Sequence, residues 1–400
     1  MEIIRELCSF ERRFAGTDAE RRAANRMAQR LREAGRPVEI EPIYVHPQLG
    51  LVYAAHCLLA LAGSLVAVAI PVLGFALVLF AATSLYLDLN ARIYLLRRIF
   101  FRRASQNVVS RGGAGAGAKA RLLVVAHLDA AKTGYMYGAR RVRLVNRFPL
   151  SPTRLIFWSA AFLVPALAVR AAGAESGIVS LLQLPPTLVL LVALFAFVDI
   201  ELSDVVPGAN DNASGVAVAV SLAGALSAEP AANLDVWVVL TGGGETPMQG
   251  MRAFLRGERK DRDSSSTYVI DLDAVGRGDV RFVTGAGPAV TYELRSRLTE
   301  LCQAIADADA EQENRFRAAA VRRGLSSEAL PAALAGCAAT TITCLEPGAV
   351  VPANYRRPTD IPGELDPEAV DRAHDFALAL IRQLDRDLGR SPEPALEAPA

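Results

Sequence analysis

The chain lacks an excess of charge of either sign. Its 43 lysines and arginines face 42 aspartates and glutamates, a formal net charge of +1. No polycationic surface is therefore expected, and nucleic acid is excluded as a partner class. The five cysteines, Cys8, Cys57, Cys302, Cys337 and Cys344, are odd in number and form no CxxC pair. They imply no disulfide framework and favour a reducing compartment. The Gly/Ala-rich run from Gly112 to Ala118 reads as a flexible connection and lacks the GxxxxGK pattern of a phosphate loop. The first residues are charged and amphipathic, and do not read as a signal peptide.

Apolar residues are abundant instead. They make up 52% of the chain and give a mean hydropathy of +0.26, high for a soluble protein. Two regions carry the excess. Leu51 to Leu87 is almost uncharged, too long for one membrane span and enough for two short ones, with Pro71 and Gly74 near its middle. Leu155 to Ala172, with Arg170 near its end, and Ile178 to Ile200, interrupted by Pro185-Pro186, form a second pair. The expectation is about four transmembrane helices in two hairpins. Buried core helices of a soluble fold are the alternative, and uncharged runs of this length are rare there.

The rest of the chain is organised around Pro207-Gly208-Ala209-Asn210-Asp211-Asn212-Ala213-Ser214-Gly215, a turn-rich loop running into an apolar helix from Val216 to Leu226. Asn212 and Ser214 are candidate caps, and Asp211 sits at the helix mouth. Three apolar strands also end in possible metal ligands. Arg121 to Ala126 leads to His127-Leu128-Asp129. Leu234 to Leu240 leads through Thr241 to Glu245. Thr267 to Leu272 leads to Asp273. Sites in open α/β sheets form at the carboxyl ends of strands, and one imidazole with three carboxylates suits zinc or a similar divalent ion. Asp129, two residues after His127, points the same way on an extended chain and can orient the imidazole from behind.

In order and spacing these motifs resemble the M28 family of zinc aminopeptidases. The resemblance implies an α/β fold, a mixed eight-stranded sheet between helices, holding two zinc ions bridged by Asp211. It implies His127 and Asp273 on one ion and Glu245 on the other. Two departures alter that expectation. The family shows a Glu-Glu pair whose first member is the general base, and Gly244 stands in that place before Glu245. The family's last ligand is a His four residues before an Asp, and here Arg356 precedes Asp360. A Ser-Asp-His motif appears as Ser327-Glu328-Ala329. The expected ligands are thus His127, Asp211, Glu245 and Asp273, holding one zinc ion, two at most, since a cation at Arg356 repels a second metal. Glu245 is a candidate substitute base. The glutaminyl cyclase branch of the fold fits poorly, because the final His is absent.

His127 lies between the apolar regions and Asp211 after both, so a shared metal requires each region to cross the membrane an even number of times. The expected organisation is a peptidase-like domain over 1–50, 106–153 and 201–390. A first hairpin with a basic flank lies over 51–105, a second hairpin over 154–200, and a disordered Pro/Ala/Glu-rich tail over 391–400. Arg97, Arg98, Arg102 and Arg103 follow the first hairpin, and Arg140, Arg141, Arg143, Arg147 and Arg154 precede the second. By the positive-inside rule the α/β domain faces the cytoplasm. Residues 1–36 read as helical, and Tyr292 to Ala308 as one helix. His374, on a C-terminal helix, reads as a surface or packing residue. Two functions stay open. One is a membrane-embedded zinc-dependent hydrolase acting on a peptide or small amide. The other is a non-catalytic scaffold or receptor subunit with a membrane protein partner.

Overall fold

A computed structural model describes residues 1–112, 117–138, 151–173, 177–260, 263–294 and 296–390. The tail 391–400, the arginines at 140, 141, 143 and 147 and the centre of the 112–118 connection lie outside the described residues. The described strands form one mixed sheet of nine, in the order β1-β2-β4-β3-β5-β9-β6-β7, with β8 paired to β6. Its centre is parallel: β3 (Ala120–His127) lies between β4 (Leu234–Thr241) and β5 (Thr267–Leu272), and β5 pairs with β9 (Ala338–Leu345). β1 (Glu39–Val45), β2 (Arg103–Ser110), β6 (Asp279–Ala286) and β7 (Tyr292–Glu293) run antiparallel to their neighbours, while β8 (Ala319–Arg323) is parallel to β6. The central strands bury both faces, as expected of parallel sheets between helices. Leu122, Val124 and Ala126 of β3 join the larger core, whereas Leu123 and Val125 join the opposite one.

Residues 1–36 form two helices, α1 (Glu2–Cys8) and α2 (Asp18–Glu33), rather than one. The break carries Arg13 into the interior, where its guanidinium donates to the carbonyls of Leu7, Leu128, Pro207 and Gly208. The expected helix from Tyr292 splits likewise. Tyr292 and Glu293 extend the sheet as β7, and the helix starts after Ser296, whose N–H donates to Thr299 Oγ1 at 2.9 Å.

The apolar regions form α3 (Leu49–Val66), α4 (Pro71–Leu89), α5 (Pro152–Ala171) and α6 (Gly177–Leu202), all long and apolar enough to cross a membrane. Pro71 opens α4, where a missing N–H is harmless. Pro185 and Pro186 do not end α6. Thr187 Oγ1 donates to the Gln183 carbonyl at 2.7 Å, and Gln183 reaches Ser64 on α3. Val52, Leu61, Val78, Leu163 and Leu190 pack the interior of the bundle, while Leu58, Leu65, Phe80, Phe162, Leu181 and Val192 face outward. Inside the bundle His56 pairs with Ser84 at 2.9 Å and Ser64 with Thr187 at 2.7 Å.

Candidate metal centre

The loop between α6 and α7 (Gly215–Ala228) is anchored by its own side chains. Asn212 Oδ1 accepts the N–H groups of Gly215 and Ala274, each at 3.1 Å, and its Nδ2 donates to the Leu272 carbonyl. Ser214 does not cap the helix: its hydroxyl donates to the Asn210 carbonyl and accepts from the Val275 N–H. Asp360 accepts the N–H groups of Asn210 at 2.7 Å and Asp211 at 3.2 Å. These bonds fix the Asp211 carboxylate at the carboxyl end of the sheet.

His127, at the end of β3, meets that carboxylate: His127 Nε2 lies 3.2 Å from Asp211 Oδ1. Its Nδ1 faces Asp129, 3.0 Å from the backbone carbonyl and 3.4 Å from Oδ1 of the carboxylate. The Asp129 carboxylate in turn accepts the N–H groups of Gly244 at 2.8 Å and Glu245 at 3.1 Å. One buried carboxylate therefore ties the imidazole to the glycine-rich turn after β4. Ligand atoms of His127, Asp211 and Glu245 all lie within 4.8 Å of one another.

Asp273 lines the same cavity. Its Oδ2 accepts from Arg323 Nη1 at 3.1 Å. β8, an edge strand with little apolar pattern, thus delivers a buried arginine to the expected ligand Asp273. Glu245 is paired too: Arg356 donates to its Oε2 and, at 3.1 Å, to the Tyr137 hydroxyl, with the rings of Tyr137 and Tyr355 each 5.4 Å from the guanidinium carbon.

At position 244 there is no room for a side chain. A Cβ there would fall 2.4 Å from His127 Cβ and 2.8 Å from Glu328 Oε1. Glu328, which sequence reasoning registered only as part of a departed motif, thus stands beside the vacant base position. Its Oε1 accepts from Thr241 Oγ1 at 3.0 Å, and its buried Oε2 has no hydrogen-bond partner among the described residues. Asp271 supports it, accepting the Glu328 N–H and the Thr341 hydroxyl, each at 3.1 Å. His374 pairs with the neighbouring Asp375 on α11 (Pro367–Gly389).

Burial and pairing set the ionisation of these groups. Burial pushes the Glu328 carboxyl up to about 8, aided by Asp271. It pushes Glu245 up to about 7, with Arg356 opposing and Asp211 adding to the rise. Burial opposes charge on His127, but hydrogen bonds to Asp129 and Asp211 outweigh it and hold its pKa well above the ordinary value. Asp211 is held below the usual carboxylate range, burial being outweighed by His127 and then by Arg356 and Arg323.

Residues 188–381 match the sequence model of Peptidase family M28. That stretch includes Asp211, Glu245, Asp273 and Arg356 but not His127. No curated protein matches the chain in sequence. Among solved structures, BSAP, a zinc aminopeptidase from Bacillus subtilis, aligns with a TM-score of 0.55 at 14% identity, over 96% of this chain and 94% of that one. The aminopeptidase from Aneurinibacillus sp. strain AM-1 aligns at 0.53 and 14% identity, over 96% and 93%. The glutaminyl cyclase of Porphyromonas gingivalis aligns at 0.55 and 12% identity, over 96% of each chain. At such identities the likeness is one of fold, and it spans both the aminopeptidases and the cyclases. The chain thus carries a segment matching Peptidase family M28, within a mixed α/β fold like that of these structures, and four long apolar helices.

Proposed function

We propose that this protein is a membrane-embedded hydrolase of amide bonds that uses one zinc ion, with its α/β domain on the cytoplasmic side. The observation that supports it most is the convergence of His127, Asp211 and Glu245 at the floor of a cavity. The donor set suits zinc. The 3.2 Å between His127 Nε2 and Asp211 Oδ1 fits two ligands on one tetrahedral ion, which lie about 3.3 Å apart when each bond is roughly 2.0–2.1 Å. Guanidinium groups on Glu245 and Asp273 disfavour a second ion. A zinc ion bound there would supply Lewis acidity toward a carbonyl and would lower the pKa of a bound water.

The chain's own residues do the rest. Asp129 fixes the orientation of His127, leaving Nε2 toward the cluster. Glu245 is assigned to the ion as a ligand, and serves as the substitute base only when released from ligation. Glu328, protonated at neutral pH, is placed to hand a proton to the leaving amine. The two carboxyls are separable by experiment. Glu245→Gln should lose zinc and activity together. Glu328→Gln should keep zinc and lose turnover by roughly 10²–10⁴-fold. Equal zinc loss in both variants would remove the proton role of Glu328.

The arginine pairs also support a second reading, a non-catalytic scaffold whose carboxylates are neutralised internally and whose apolar helices meet a membrane protein partner. Elemental analysis of detergent-purified protein decides between them. About one equivalent of zinc, lost in Asp211→Ala, supports the hydrolase. No zinc in the wild type supports the scaffold.

A further inference from the structure

The cavity above the cluster, about 1210 Å³ including its open mouth, is walled by the domain-side ends of three apolar helices. Leu49 and Tyr53 come from the start of α3, Pro152 and Thr153 from the start of α5, and Phe197 and Ile200 from the last turns of α6. Helical rise locates this wall relative to a bilayer. The 18 residues of α3 span about 27 Å at 1.5 Å each, close to the roughly 30 Å of hydrocarbon. The 26 residues of α6 span about 39 Å, more than the hydrocarbon, which leaves length for the last turns, next to the α/β domain, to reach the headgroup level. A second observation places the same level. Between α4 and β2, Ile93, Ile99 and Phe101 are exposed among Arg92, Arg98, Arg102 and Arg103. Apolar side chains interleaved with arginines at span ends suit a membrane–water boundary.

We infer that the substrate is an amphiphile drawn from the bilayer: one apolar chain lying against Leu49, Tyr53, Phe197 and Ile200, joined through an amide to a small polar head at His127, Asp211 and Glu245. The chemistry rests on the hydrolase reading, whereas the binding place does not. An extended soluble peptide would leave backbone N–H and C=O groups facing this apolar wall without partners. An alkyl chain has none to satisfy. In the reaction the amide C–N bond breaks, the oxygen of water joins the carbonyl carbon, and a proton from water goes to the nitrogen. The products are a carboxylic acid and an amine.

The test uses the full chain in lipid nanodiscs and two amides of one amino acid, leucine dodecylamide and leucine ethylamide. The dodecylamide should be cleaved with a kcat/KM about tenfold or more above that of the ethylamide, and Phe197→Ser should shrink that ratio. Independently, a diazirine-bearing leucine dodecylamide should crosslink within residues 49–53 and 197–200, and unlabelled dodecylamide should compete. Crosslinks confined to the outer bundle face, or equal cleavage of the two amides, would overturn the amphiphile. Crosslinks at the wall without cleavage of either amide would support the binding place and remove the hydrolase reading instead.

Discussion

At the scale of single residues, the site is a balance of buried charge. Arg356 and Glu245 are both largely buried, and each is the other's partner. Removing one member of such a pair strands the other without water. Arg356→Ala should therefore destabilise the fold by about 3–5 kcal/mol, and Glu245→Gln added to it should recover part of that in thermal denaturation. Gly244 is constrained by space. Installing the family's base as Gly244→Glu drives a Cβ into His127, so the variant should melt earlier, by the equivalent of about 1–3 kcal/mol, and gain no activity. Glu328 adds a pH dependence. Its folded-state pKa of about 8 lies above the ordinary carboxyl value of 4.5, so the native state holds the proton more tightly. Its contribution is fully present below about 4.5 and is lost as pH rises through 8. Metal-depleted wild type should lose melting temperature across that window more steeply than Glu328→Gln. Parallel profiles would show that Glu328 is not the group responsible.

At the scale of elements, helix approach is set by small residues. A Cβ on Gly74 of α4 would fall 2.4 Å from Ala67 Cβ, and one on Gly50 of α3 would fall 2.4 Å from the Phe197 carbonyl oxygen. Such contacts hold apolar helices together by close packing. Gly74→Leu and Gly50→Leu should each lower the melting temperature in detergent. Gly224 is a control, since a Cβ there meets nothing within 4 Å. Gly224→Ala should leave stability unchanged or raise it by up to about 1 kcal/mol through a smaller loss of backbone entropy. If Gly224→Ala and Gly74→Leu behaved alike, packing of the first hairpin would not be the cause.

At the scale of the whole molecule, the domain-side ends of α3, α5 and α6 line the cavity at the carboxyl edge of the sheet. The proposed orientation predicts that Gly173→Cys, between α5 and α6, reacts with a membrane-impermeant maleimide applied to intact cells. Protection there and labelling only after lysis would reverse the orientation.

Much of this was legible in the sequence because it is local. Uncharged runs gave four long helices within a few residues of their bounds, and Pro71 marked a helix start. Strands ending in His127, Glu245 and Asp273, with the Asp211 loop, placed the candidate ligands at one edge of the sheet, because strand direction alone decides where such residues emerge. The tertiary structure decided which charges meet. Arg356 reaches Glu245 across 111 residues, and Arg323 reaches Asp273 across 50. Arg13 leaves a helical pattern to bind the carbonyls of Leu128 and Gly208, and Glu328 fills the space beside Gly244. None of these pairings has a local signature. A buried guanidinium or carboxyl reads in sequence as an ordinary charged residue, and only packing removes the water that would otherwise keep it exposed and unpaired.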